Sequence, residues 1–130
     1  MIVAVTTCMC LVVTGSKQAA STVVVTTTSG VVVGNQTQKN RIWRGIPFAQ
    51  APVDALRWQP PQDPTPWTQP RKAFFDGPGC MQYCIDGVTL PPHSCPPRLS
   101  EDCLTLNIFA PKDFPPNPLP VLVWIHGVRQ

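Results

Sequence analysis

Charge is what this sequence has least of: Asp, Glu, Lys and Arg make up 13% of its 130 residues. The formal net charge of +3 is spread over isolated Lys and Arg rather than gathered into a run. That excludes the basic footprint a nucleic-acid partner requires. No aromatic ladder interleaves with the cations, so stacking on single-stranded bases is excluded as well. Helical periodicity is also missing, because no segment repeats apolar residues at i, i+3 and i+4 over three turns. Long helices are further excluded by 17 prolines, each of which fixes φ and removes a backbone donor. No apolar run is long enough to span a bilayer, the longest at the N-terminus being short and interrupted by Thr. There is no internal repeat. Cys80, Cys84, Cys95 and Cys103 follow the spacing C-x3-C-x10-C-x7-C, without the paired short knuckles of zinc ribbons, and His93 is the only nearby imidazole. Neither a metal nor another cofactor is expected.

What is present points to strands and extended loops around one core at most. Proline clusters at Gln59–Pro70, Pro91–Pro97 and Lys112–Pro120 read as loops between short strands. Trp, Leu and Phe are too interspersed among them for a disordered tail. Four of the six cysteines fall within one short stretch, residues 80–103, which indicates an oxidising compartment and hence a secreted chain. The apolar stretch Ile2–Val13, followed by Gly15, Ser16 and the small residues Ala19, Ala20 and Ser21, reads as a signal peptide over residues 1–21, although a positive n-region is absent; the alternatives are an exposed hydrophobic start and a misplaced initiator Met.

Thr22–Thr28 and Val31–Val33 are β-branched runs separated by Ser29-Gly30, the pattern of a β-hairpin. Asn35-Gln36-Thr37 is an N-x-T sequon that fits either a glycan acceptor or a polar turn that is never glycosylated, whereas Asn117 is followed by Pro. Arg41–Phe48 alternates Ile42, Arg44 and Ile46 against Trp43 and Phe48, which predicts a third strand running into a loop at Pro47. Leu104–Phe109 and Val121–Ile125 are two further strand candidates. The second is continuously apolar, as a strand covered on both faces requires.

Four segments, in order, resemble the type-B carboxylesterase and cholinesterase family. They are Gly30-Val-Val-Val-Gly34; Arg44-Gly-Ile-Pro-Phe-Ala49 with Leu56-Arg-Trp58 and Trp67 behind it; Ser100-Glu-Asp-Cys-Leu-Thr-Leu-Asn107; and Leu119-Pro-Val-Leu-Val-Trp-Ile-His-Gly127. The resemblance implies an α/β-hydrolase fold, of which residues 22–130 would be the N-terminal portion, mostly short strands and proline-rich loops with little helix. It also implies a disulfide between Cys80 and Cys103. Cys84 and Cys95 lie inside the same loop, where either a second bridge or two free buried thiols fits. Glu101 and Asp102 invite a general acid/base reading, but the resemblance gives Glu101 a structural ion pair with Arg57.

In that family the strand ending in His-Gly is followed by two glycines whose backbone N–H groups build much of the oxyanion hole. Here His126 and Gly127 match, and the donor positions fall on Val128 and Arg129. A β-branched valine resists both the sharp bend and the close approach that glycine permits. The nucleophile elbow, its acid and the catalytic histidine would all lie downstream, so no catalytic residue is expected here. His126 precedes the oxyanion loop and is not a general base; Ser94 and Ser100 have no elbow context. The change from Trp-Ile-His-Gly to Val-Arg-Gln reads as an exon boundary, a frameshift or a truncated product.

The expectation is a catalytically silent part of a serine esterase acting on small-molecule carboxylic esters. Two alternatives are a non-catalytic secreted binding or adhesion module of the same fold, and a free-standing cysteine-stapled binding module. An apolar Val121–Ile125 without sheet partners would also make the isolated chain aggregation-prone.

Overall fold

The computed structural model of the chain describes residues 21–82, 96–113 and 115–125. Five strands form one sheet: β1 (Ser21–Thr27), β2 (Gly30–Gln36), β3 (Asn40–Pro47), β4 (Arg71–Lys72) and β5 (Thr105–Pro111). The order is β1-β2-β3-β5, with β4 pairing parallel to β2. The other pairs are antiparallel. The helical content among the described residues is a single turn of 3-10 helix at Asp54–Leu56, as the proline density requires.

The expected hairpin is present, with its turn one residue earlier than the Ser29-Gly30 pair. Thr27 faces Gly30 across a two-residue loop, Thr28-Ser29. The Thr27 side chain explains the shift. Its hydroxyl donates to the Gly30 carbonyl (2.8 Å) and accepts the Ser29 N–H (3.2 Å), so it closes the turn that a backbone group would otherwise close. Gly30 becomes the first residue of β2 at φ 138, against the backbone and ring of Trp67, where a Cβ would lie 2.5 Å from the Trp67 carbonyl oxygen. Trp67 in turn donates its indole N–H to the Val31 carbonyl at 2.8 Å.

β2 and β3 pair only at their near ends, Asn35 with Ile42 and Gln36 with Arg41. Beyond that they splay, and the chain around β4 fills the gap. Ala73 donates its N–H to the Val33 carbonyl (2.8 Å) and accepts the Arg44 N–H (2.9 Å). The small side chain of Ala73 makes this insertion feasible, since it is almost wholly buried beside Val32, Trp43 and Ile46. Val23, Trp67 and Ala110 pack against that cluster.

Simple alternation along β3 places Ile46 with Ile42 and Arg44, opposite Trp43. The structure corrects this: Trp43 and Ile46 are both buried in the same cluster. The reason is a β-bulge. Trp43 pairs with Ile108 and Ile46 with Leu106, so three steps on β3 are matched by two on β5. Gly45 takes up the extra residue at φ 65.

The expectation for Val121–Ile125 is also corrected. No strand forms there, and these five side chains are 74–90% exposed. An apolar strand of this kind is stable only with neighbours on both sides and layers on both faces, and none of the described elements supplies them. Cys84, Cys95, His93 and His126–Arg129 lie outside the described residues, as does residues 1–20 of the expected signal peptide.

Gly45→Ala should destabilise the chain by about 1–3 kcal/mol, because Ala would be held at positive φ with its Cβ 2.8 Å from the Phe75 carbonyl oxygen. Urea unfolding of the full chain measures this; an unchanged midpoint would show that the bulge relaxes freely.

Candidate functional site

The motif residues of the sequence converge on the loops that lead into and out of β3 and β5. Cys80 and Cys103 form a disulfide with Cα atoms 5.0 Å apart. Beside it, Gly79 donates its N–H to the Arg98 carbonyl (2.9 Å) and accepts the Ser100 N–H (3.0 Å), a short parallel bridge centred on Leu99. The covalent link and these two hydrogen bonds together hold residues 98–103 against residues 79–80.

The two acids preceding Cys103 serve different neighbours. Glu101 forms an ion pair with the Arg57 guanidinium, which follows the 3-10 turn. Both side chains are substantially exposed, at 39% and 57%, so water screens the pair and its contribution is about 0–1 kcal/mol. Its effect is positional. It joins the loop after β3 to the segment before β5, next to two residues with positive φ, Asp54 and Trp58. Asp102, with its N–H on the Ser100 hydroxyl (3.1 Å), instead lines an open cleft of about 440 Å³ between β4, the Phe75–Pro78 segment and residues 98–105.

A second cluster was not foreseen from the sequence. Asn107 on β5 accepts the Gly45 N–H through Oδ1 (2.9 Å) and donates Nδ2–H to Asp76 Oδ1 (2.8 Å). Arg44 approaches the same Asp76 oxygen at 3.4 Å and lies over the Phe109 ring, 5.8 Å from its centroid. One carboxamide thus links the bulge, the loop after β4 and the edge strand. Asn107 and Gly45 stood in the recognisable strings, so their positions were legible; their partnership was not, since it depends on Gly45's left-handed backbone.

These groups can hold loops in place, and the described residues include no histidine to pair with a serine hydroxyl. Among the described residues no group of three His, Cys, Asp or Glu side chains could hold a metal ion, and no helix is long and apolar enough to cross a membrane. Asn35 lies in β2 opposite Thr22 and Ile42.

Residues 21–129 match the model of the carboxylesterase family. The chain belongs to that family. It is 42% identical over 100 residues to the cAMP-regulated D2 protein of Dictyostelium discoideum, covering 75% of this chain and 18% of that protein. It is 40% identical over 98 residues to carboxylesterase 1D of Mus musculus, covering 70% and 17%. A PNB esterase structure superposes with a TM-score of 0.61 at 39% identity, covering 69% of this chain and 18% of that one. This carboxylesterase chain therefore spans less than a fifth of the length of the relatives it matches. Its structural neighbours are α/β-hydrolase esterases, and its strands and near-absence of helix fit the N-terminal portion of that fold.

Cys103→Ser should cost about 3 kcal/mol, the chain-entropy value for releasing a loop of this length, whereas Arg57→Ala should cost at most about 1 kcal/mol. Parallel urea titrations of the two variants check the order; equal losses would mean that the ion pair carries more than its exposure allows.

Proposed function

We propose that this chain provides the N-terminal scaffold of a serine-type carboxylic ester hydrolase and does not itself cleave esters. The observation that carries the reading is the family match over residues 21–129 in a sequence that contains no Gly-x-Ser-x-Gly string. Acyl transfer by this chemistry requires a serine activated by a histidine and a set of N–H donors for the oxyanion. By resemblance, His126 and Gly127 lead into the donor loop, with Val128 and Arg129 at the donor positions. The substrates of the whole protein are small-molecule carboxylic esters, in keeping with the esterase names of its relatives.

The Cys80–Cys103 disulfide supports folding in an oxidising compartment. With residues 1–21 as a signal peptide, the mature protein begins at residue 22 in a secreted or luminal compartment. In this reading Arg57 and Glu101 position loops and are not an acid/base pair.

The purified chain should give no turnover of p-nitrophenyl acetate above an albumin control, and a fluorophosphonate serine probe should leave it unlabelled. Stoichiometric covalent labelling would overturn the reading.

Among the described residues the outer edge of β5 is unpaired, and with the exposed run Val121–Ile125 it forms a template for strand pairing between copies. The isolated chain should therefore self-associate on size exclusion, and Val123→Lys should shift it toward monomer. A dilution-resistant monomer of the unaltered chain contradicts this.

A further inference from the structure

The sequon at Asn35 stands apart from the esterase scaffold, and its placement in the sheet is informative. Residues directly opposite one another in antiparallel strands share a face. Asn35 faces Thr22 on β1 and Ile42 on β3, and Ile42 faces Phe109 on β5. This row lies on the face opposite the core, because the adjacent β2 residues, Gly34 and Gln36, alternate with it, and Gly34 packs against the Trp43 ring. The next row on the outer face pairs Val33 with Val24. Val24 is 60% exposed and Phe109 63% exposed, with Val33 and Ile42 half-buried. The outer face is thus largely apolar around Val24, Val33 and Ile42, with Thr22 beside Asn35 at one end of the row and the Arg44 guanidinium over the Phe109 ring at the other.

The carboxamide of Asn35 is also available. Among the described residues it has no hydrogen-bond partner. Thr37, the hydroxyl residue of the sequon, sits in the turn joining β2 to β3. Its hydroxyl donates to the Asn40 carbonyl (3.1 Å) and accepts the Asn40 N–H (2.9 Å). The sequon therefore runs from a strand end into an exposed turn, where chain-bound sugar has room.

We propose that Asn35 carries an N-linked glycan that lies over the outer apolar face of the sheet and keeps it from associating. The donor is a lipid-diphosphate-linked oligosaccharide of the secretory lumen. Asn35 Nδ2 forms a bond to C1 of the first N-acetylglucosamine as the C1–O bond to the lipid diphosphate breaks, and the amide gives up one proton. The face then meets water through sugar hydroxyls rather than through Val24 and Phe109.

The inference rests on the luminal reading above, and translation of the full chain with endoplasmic-reticulum microsomes separates the two. The unaltered chain should gain one endoglycosidase-sensitive gel shift, lost in Asn35→Gln and kept in Thr37→Ser. A second chain carrying Pro118→Ala and Leu119→Thr adds a sequon at exposed Asn117 as a marker of import. A shift at Asn117 without one at Asn35 overturns the glycan site and leaves the luminal reading intact. Shifts at neither position overturn both. Enzymatic removal of the glycan from the folded, secreted chain should raise binding of an apolar dye; unchanged dye binding would overturn the shielding role.

Discussion

The one extra residue in β3 is the constraint on which the rest of the described structure depends. A regular strand would send Trp43 and Ile46 to opposite faces, and the small core around Val32 and Ala73 would lose one of them. The bulge at Gly45 brings both inward. It also leaves the Gly45 N–H without a ladder partner, which the Asn107 carboxamide supplies. Asn107 then fixes Asp76, and Asp76 attracts Arg44. A change of register in one strand thereby sets the positions of two loops and an edge strand.

The apolar burial behind this arrangement is small. The described core is five side chains, and large hydrophobic residues from Phe75 to Ile125 remain open to water. A core of that size offsets little of the conformational entropy of ordering the chain. The disulfide and the bridge at Gly79 matter correspondingly more, because they limit the freedom of a loop that contains few packed side chains. The exposed Arg57–Glu101 pair adds direction rather than stability, since both groups remain hydrated.

Much of the strand content was legible in the residues. β-branched runs around a turn gave the first hairpin, and the strings Gly-Ile-Pro-Phe-Ala and Glu-Asp-Cys-Leu-Thr-Leu-Asn placed β3, β5 and the cysteine bridge. The turn position was off by one because the Thr27 hydroxyl, not glycine geometry, closes it. β4 was missed: two charged residues, Arg71 and Lys72, carry no strand pattern and pair only because β2 and β3 splay apart. The Asp76–Asn107 link was missed for the same reason, since it joins residues 31 positions apart through a backbone shape that neither segment displays alone.

Local chemistry by itself determined the strands, the proline-rich loops, the scarcity of helix and the family to which the chain belongs. These follow from φ restriction, β-branching and short motifs, which act over a few residues. Only the tertiary structure decided which face Ile46 takes, where Ala73 inserts, and that Val121–Ile125 stands unpaired. Each of those depends on a neighbour distant in sequence, and a strand pattern specifies what a segment can bury without specifying what will cover it.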